Sequence, residues 1–140
     1  MASKFGDQVK ALTEKYKLRQ EVVFRESAQQ VLTKAQVPKK SGGRMPVKDG
    51  FLRGSVGASK EGMPSGPSDP ALVFSTLKIG EQVYAGWTAA YALRMEYGFQ
   101  GTDSLGRTYD QAGNGFLRAA VQNWDFIVAE AVAQAKKDIP

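Results

Sequence analysis

The first 36 residues of the chain read MASKFGDQVKALTEKYKLRQEVVFRESAQQVLTKAQ, with no proline and with Gly6 as their only glycine. Apolar residues recur in this stretch at steps of three and four, which is the spacing of one face of an α-helix. Their positions are Phe5, Val9, Leu12, Tyr16, Phe24, Ala28, Val31 and Ala35. Pro38 and the run 39–43 end the pattern. We therefore predict either one long helix or two helices joined near residues 17–20.

A second helical pattern closes the chain. One stripe collects Leu117, Ala120, Val121, Trp124, Ile127, Val128, Ala131 and Ala135. An apolar stripe of this kind predicts an amphipathic helix that packs against the rest of the fold. Asn114 is its candidate N-cap, because a short side-chain oxygen can accept a hydrogen bond from a free N–H group of the first turn.

The middle of the chain is rich in turns. Residues 51–59 are a strand candidate, and residues 72–79 and 82–87 are predicted to pair as a hairpin through Gly80 and Glu81. A short helix is expected over 89–97, ended by Gly98. Three prolines and two glycines make residues 60–70 a loop, and residues 99–113 are predicted as a second loop with a brief hairpin around Arg107 and Tyr109.

These elements predict one α+β domain over residues 1–140. It has a long N-terminal helical region, a small antiparallel sheet with a hairpin, a short helix, and a C-terminal amphipathic helix packed on the sheet. A small sheet has open edges, which favours an oligomer. No apolar run approaches 18 residues and the N-terminus lacks the apolar core of a signal peptide, so we expect no membrane association.

The chain of 140 residues contains neither cysteine nor histidine. This excludes disulfides, thiol nucleophiles, Cys or His zinc sites and Ser-His-Asp catalysis. Catalysis by a carboxylate remains, and Glu96 is the candidate because a partly buried Glu can act as a general acid. The alternative is a structural Glu paired with Arg53 or Arg94. We favour this alternative, and expect no catalytic residue, metal, cofactor or small-molecule substrate.

Positive charge is concentrated in one half of the chain. Residues 1–50 hold 11 Lys and Arg against 5 Asp and Glu, whereas residues 51–140 hold 8 against 9. The basic half is typical either of a lysine-rich solvated helix or of contact with nucleic acid or an acidic partner surface. Phe5, Tyr16 and Phe24 fall in the apolar stripes, so we expect them in the core and not available to stack on bases. A small nucleic-acid-binding protein is the alternative function.

Three separated motifs carry a resemblance to a known family. The first is PVKDGFLRGS at 46–55, with Pro46, Gly50, Leu52, Arg53 and Ser55. The second joins Tyr84-Ala85 to Tyr91-Ala92 and Met95-Glu96-Tyr97-Gly98, and the third is Gly115-Phe116-Leu117-Arg118-Ala119-Ala120. In this order and spacing, over about residues 22–135, the chain resembles the gene-product-ten-like neck family of tailed bacteriophages. Its members are head–tail joining, tail completion or tail terminator proteins.

The resemblance implies a structural virion protein that forms a ring at the head–tail junction, without catalysis. A six-fold ring is expected, with twelve copies as the alternative. Its partners would be further copies, neighbouring neck and tail-tube proteins, and DNA passing through the channel. The protein would assemble in the host bacterial cytoplasm and reside in the virion neck. Arg53 and Glu96 are candidates for a salt link within or between subunits, and the loops offer Met63, Pro67, Arg107 and Tyr109 as candidate interface residues.

Overall fold

The computed structural model of the chain describes residues 4–48 and 50–140. Its helices are α1 (Lys4–Ala35), α2 (Phe51–Gly54), α3 (Pro70–Phe74), α4 (Ala92–Tyr97), α5 (Phe116–Gln122) and α6 (Trp124–Asp138). Its strands are β1 (Val56–Ser59), β2 (Tyr84–Trp87), β3 (Gly98–Thr102) and β4 (Thr108–Ala112). The predicted α+β class is confirmed.

Helix α1 is one continuous helix of 32 residues, about 48 Å long. The predicted C-terminal helix is present but broken at Asn123 into α5 and α6. Helix α6 lies antiparallel on the second half of α1, since Arg19 bonds the carbonyl of Ile139 and Lys34 lies over the ring of Phe126. Residues 4–14 of α1 extend beyond this contact and are exposed all round.

The predicted hairpin over 72–87 is wrong. The Asp69 side chain accepts the backbone N–H of Ala71 and Pro70 occupies the first turn, so a helix begins where the strand was expected. Strand β2 pairs instead with β1, antiparallel, with Val56 opposite Trp87. The strand candidate at 51–59 accordingly divides into the helical turn α2 and strand β1.

The hairpin predicted around Arg107 and Tyr109 is present and longer than expected. Strands β3 and β4 pair over most of residues 99–113, with Gly98 opposite Ala112, so little of the predicted loop remains. The loop at 60–70 is confirmed up to Asp69, and it covers the outer edge of β1. Its Ser68 donates a backbone N–H to the carbonyl of Val56 and accepts the N–H of Ala58 on its hydroxyl.

Two apolar clusters meet at Trp87. One contains Ala35, Met45, Leu52, Ala89, Phe116 and Ala120, and the other contains Leu32, Ala58, Phe74 and Leu77. The rings of Trp87 and Phe116 meet edge to face with 5.0 Å between centroids. Through this contact, the C-terminal helical region packs on the sheet.

Candidate functional site

The first motif fastens the end of α1 to the small sheet. Leu52 is buried in the core, and the carbonyl of Ser55 accepts both the N–H and the hydroxyl of Thr88. The Arg53 Nε donates to the carbonyl of Gln36 at 3.0 Å, and the Gln36 amide donates back to the carbonyl of Arg53. Within one chain, Arg53 and Glu96 therefore do not form the predicted salt link, and a link between subunits stays a prediction.

Two further residues of this motif determine the path of the chain into α2. Gly50 has φ +82°, a left-handed conformation that side-chain-bearing residues rarely adopt, immediately before α2. Pro46 follows the buried Met45 and lines a shallow depression with Tyr91. Both residues shape the chain between α1 and the sheet, as the motif predicts.

Glu96 is 5% exposed and caps helix α5 from the neighbouring helix α4. Its carboxylate accepts the backbone N–H of Leu117 at 2.9 Å and that of Arg118 at 3.0 Å, and it also accepts the Arg118 Nε at 3.1 Å. The carboxylate thus accepts free N–H groups of the first turn of α5 and places a negative charge at the positive end of the helix. We interpret Glu96 as a structural cap.

The ionic partner of Glu96 is Arg118, where the sequence suggested Arg53 or Arg94. Arg94 instead lies over the ring of Phe99 at 3.9 Å. The predicted N-cap role of Asn114 is also wrong. Gly115 precedes α5 with φ +63°, while the Asn114 amide donates to the carbonyl of Met95. Arg118 stands in the third motif and Glu96 in the second. An acidic residue in one motif and a basic residue in the other were the sequence feature that could have predicted this ion pair.

The second motif brings two chain segments into close backbone contact. Tyr91 and Ala92 begin helix α4 and pack against the first core cluster. Gly98 follows with φ +89°, and a Cβ placed there would lie 2.5 Å from the carbonyl oxygen of Gln111. Gly113 makes a matching approach to the carbonyl of Glu96. Only glycine fits this seam, which joins α4 and the hairpin to α5.

The β3–β4 hairpin is held at its tip by Asp103, which sequence reasoning did not single out. Its carboxylate accepts the backbone N–H groups of Leu105 and Arg107, the Arg107 Nε at 2.6 Å and the Tyr109 hydroxyl at 3.1 Å. The backbone N–H of Arg107, with the guanidinium of the same residue, holds the pKa of Asp103 below its ordinary value. The clamp leaves Leu105 exposed at the tip.

The four candidate interface residues do not form one surface contact. Met63 is exposed and its side chain reaches over Gly86. Pro67 lines a shallow groove with Phe51 and Thr88. Arg107 and Tyr109 belong to the hairpin clamp. Their roles as interface residues stay predictions.

Four exposed apolar side chains lie on one face of the first turns of α1. Phe5 is 75% exposed, Val9 45%, Leu12 48% and Tyr16 52%. We call these four residues the stripe, and residues 4–16 the overhang. The expectation that Phe5 and Tyr16 are core residues is wrong, because helix α6 ends before it reaches Phe5 and leaves Tyr16 half exposed. Phe24, one of the three expected core aromatics, is partly buried as expected.

A groove of about 600 Å³ lies beside the overhang, between α1 and α6. We call it the α1–α6 groove. Its lining residues are Tyr16, Arg19, Gln20, Val23, Phe24, Ser27, Trp124, Val128, Val132, Ala135 and Lys136. Apolar side chains dominate, and the charged ones stand at the end next to the overhang. The spacing of Trp124, Val128 and Val132 by four residues was the sequence feature that could have predicted the apolar wall of this groove.

Within the described part of the chain, no three Asp or Glu side chains come together as a metal site would require. Among residues 4–48 and 50–140, no helix combines the length and apolar character needed to cross a membrane. Neither a scan against protein-family models nor searches of curated proteins and solved structures finds a match to the chain.

Proposed function

We propose that this chain is a structural subunit of a ring at the head–tail junction of a long-tailed bacteriophage. It acts through contacts with its own copies, with neck and tail-tube proteins, and with the DNA that passes between head and tail. The order and spacing of the three motifs support the family, since their residues occupy structural positions: a fastened helix end, a helix cap and a close backbone seam.

The observation that carries the assembly role is the exposed stripe. Four apolar side chains on one helix face, all close to half exposed or more, form a patch of a few hundred Å². Patches of this size are typical of interaction surfaces. The β3–β4 hairpin adds a second feature, because no described strand pairs with either of its outer edges. Open edges of this kind readily accept a neighbour.

Mass photometry and native mass spectrometry of the purified chain test the proposal. We expect a closed oligomer, six-fold by the resemblance, with few species between monomer and ring. A strict monomer at high concentration, alone and with tail proteins added, would contradict it. In a phage, deletion of the gene should leave filled heads and free tails that do not join.

A nucleic-acid-binding protein is the second candidate, and the exposure of Phe5 and Tyr16 favours it more than the sequence did. Lys4, Lys10 and Lys15 stand on the same turns, so charge and aromatic rings alternate along one exposed helix. Binding of this kind weakens steeply as salt rises. A gel-shift series with duplex and single-stranded DNA at 50 to about 300 mM salt distinguishes the two functions.

A further inference from the structure

Helix α6 has two rows of apolar side chains, and only one of the rows is fully buried. Ile127, Ala131 and Ala135 are buried against α1. Trp124, Val128 and Val132 form the second row and line the α1–α6 groove, where the Trp124 side chain is 42% exposed. Val128 and Val132 are partly buried and Trp124 is exposed, so the described residues cover the second row only in part.

Helix α1 also has an apolar face that is covered along only part of its length. The stripe continues the face on which α6 packs further along α1, since Val23 and Ser27 follow Tyr16 at steps of seven and four. The face changes from covered to uncovered at Tyr16, where α6 ends. The overhang cannot fold back into the groove of its own chain, because α1 is one unbroken helix.

We propose that the overhang of one copy packs into the α1–α6 groove of the next copy, head to tail around the ring. This inference rests on the proposed self-assembly, and it names the two surfaces that meet. Helix α6 then covers α1 twice, within the chain through its first row and between chains through its second. The overhang is about 20 Å long and α6 about 22 Å, so the two match in length.

The area of one contact is too small to hold two copies together by itself. The two aromatic side chains of the stripe bury about 150–250 Å² each when fully covered. The stripe therefore contributes a few hundred Å², less than the roughly 800 Å² per partner of a stable pair. One such contact is weak, so each copy must make two of them, as it does in a closed ring or in a two-fold exchange of overhangs.

Charge disfavours the two-fold alternative in which two copies exchange overhangs. The overhang begins where the groove ends, so a two-fold exchange sets the Tyr16 ends of both copies side by side. Arg19 and Lys136 stand at that end of the groove and would meet their own copies. At the other end of α6, Asp125 is exposed beside the groove and has no ion pair among the described residues. A lysine of the incoming overhang can pair with it.

Cysteine cross-linking tests the contact directly, because the chain has no cysteine of its own. The double variant Val9→Cys, Val132→Cys should give a ladder of covalent oligomers under mild oxidation, ending at the size of the ring. Either single variant should give no cross-link. A control pairing Asp7→Cys, on the opposite side of the overhang, with Val132→Cys should give at least about tenfold less product.

The outcomes separate the two proposals. A chain that is monomeric by mass photometry removes the proposed self-assembly itself. A ring that forms while the double variant stays uncross-linked overturns only the docking of the overhang in the groove. Dimers from Val9→Cys alone would mean that two stripes pair with each other, and would also overturn it. Binding of the overhang to lipid vesicles or DNA in place of a second copy would do the same.

Discussion

The Oε1 atom of Glu96 receives two hydrogen bonds from Arg118, one from its backbone N–H and one from its Nε, across 22 residues of chain. Arg118 returns a third bond from its guanidinium to the carbonyl of Glu96. The same guanidinium lies over the ring of Tyr97 at 4.9 Å. Two motifs far apart in the sequence thus form one joint, which fixes helix α4 to the first turn of α5.

Replacement of Glu96 by Gln should destabilise the fold. The amide keeps the shape but loses the charge, and its NH₂ group faces a donor N–H of α5. We expect the free energy of unfolding to fall by about 2 kcal/mol, measured by urea denaturation. Glu130→Gln changes an exposed carboxylate in the same way and should have little effect. Equal effects of the two substitutions would contradict the capping role.

Replacement of Leu12 by Ser should weaken assembly without unfolding the chain. Leu12 lies in the stripe and is 48% exposed, whereas Leu18 is 46% exposed on the opposite face of the same helix. Leu12→Ser should raise the concentration needed for assembly by about tenfold, since it removes most of one apolar side chain from the contact.

Leu18→Ser is the matched control for this prediction. Both variants should give the circular dichroism spectrum of the unmodified chain, and only Leu12→Ser should shift the mass-photometry titration. A larger shift for Leu18→Ser would place the assembly surface on the other side of α1.

The hairpin tip should loosen at acid pH. The pKa of Asp103 is lowered in the folded chain, so its carboxylate stabilises the fold above its ordinary pKa. This contribution is lost as the pH falls through the lowered value, below about pH 4. Amide exchange of Leu105 and Arg107 should be slow at pH 7 and faster, relative to the intrinsic rate, below pH 4.

Asp103→Asn should show fast exchange at these amides at either pH. Asp110→Asn is its control, because Asp110 accepts one hydrogen bond from the exposed Gln100 side chain and holds no backbone amide. If exchange at the tip is the same in the two variants at pH 7, Asp103 is not what orders the tip.

Replacement of Gly98 by Ala should be among the most damaging single changes. The residue has φ +89°, and the added Cβ would meet the backbone oxygen of Gln111. Strain and displacement together should cost about 3 kcal/mol, measured by urea denaturation. Gly62→Ala meets nothing within 4 Å and should change stability by less than about 0.5 kcal/mol. A small effect of Gly98→Ala would show that the seam can open.

Local patterns predicted the helices well and the strand pairing poorly. The three-and-four spacing of α1 and α6 is repeated over many residues, so each element is strongly determined. The segment 72–79 is rich in β-branched and aromatic residues, but Asp69 and Pro70 start a helix there and tertiary contacts decide the outcome. Pairing of β1 with β2 joins distant segments that no local spacing connects.

The sequence likewise predicted some features of the candidate site and not others. Periodicity predicts which side of α1 is apolar, and the motifs marked Glu96 and Phe116 as structural. Periodicity does not predict how far α6 extends along α1. The extent of α6 decides that Val23 lines the α1–α6 groove while Phe5 is exposed. The partner of Glu96 likewise depends on the approach of α5 to α4.

The proline-rich loop at 60–70 closes one edge of the β1–β2 sheet. With Ser68 occupying the hydrogen-bonding groups of Val56 and Ala58, a stray strand finds no template on that side. Growth of amyloid-like stacks needs both sides of a sheet, so the loop blocks such growth through the β1–β2 sheet.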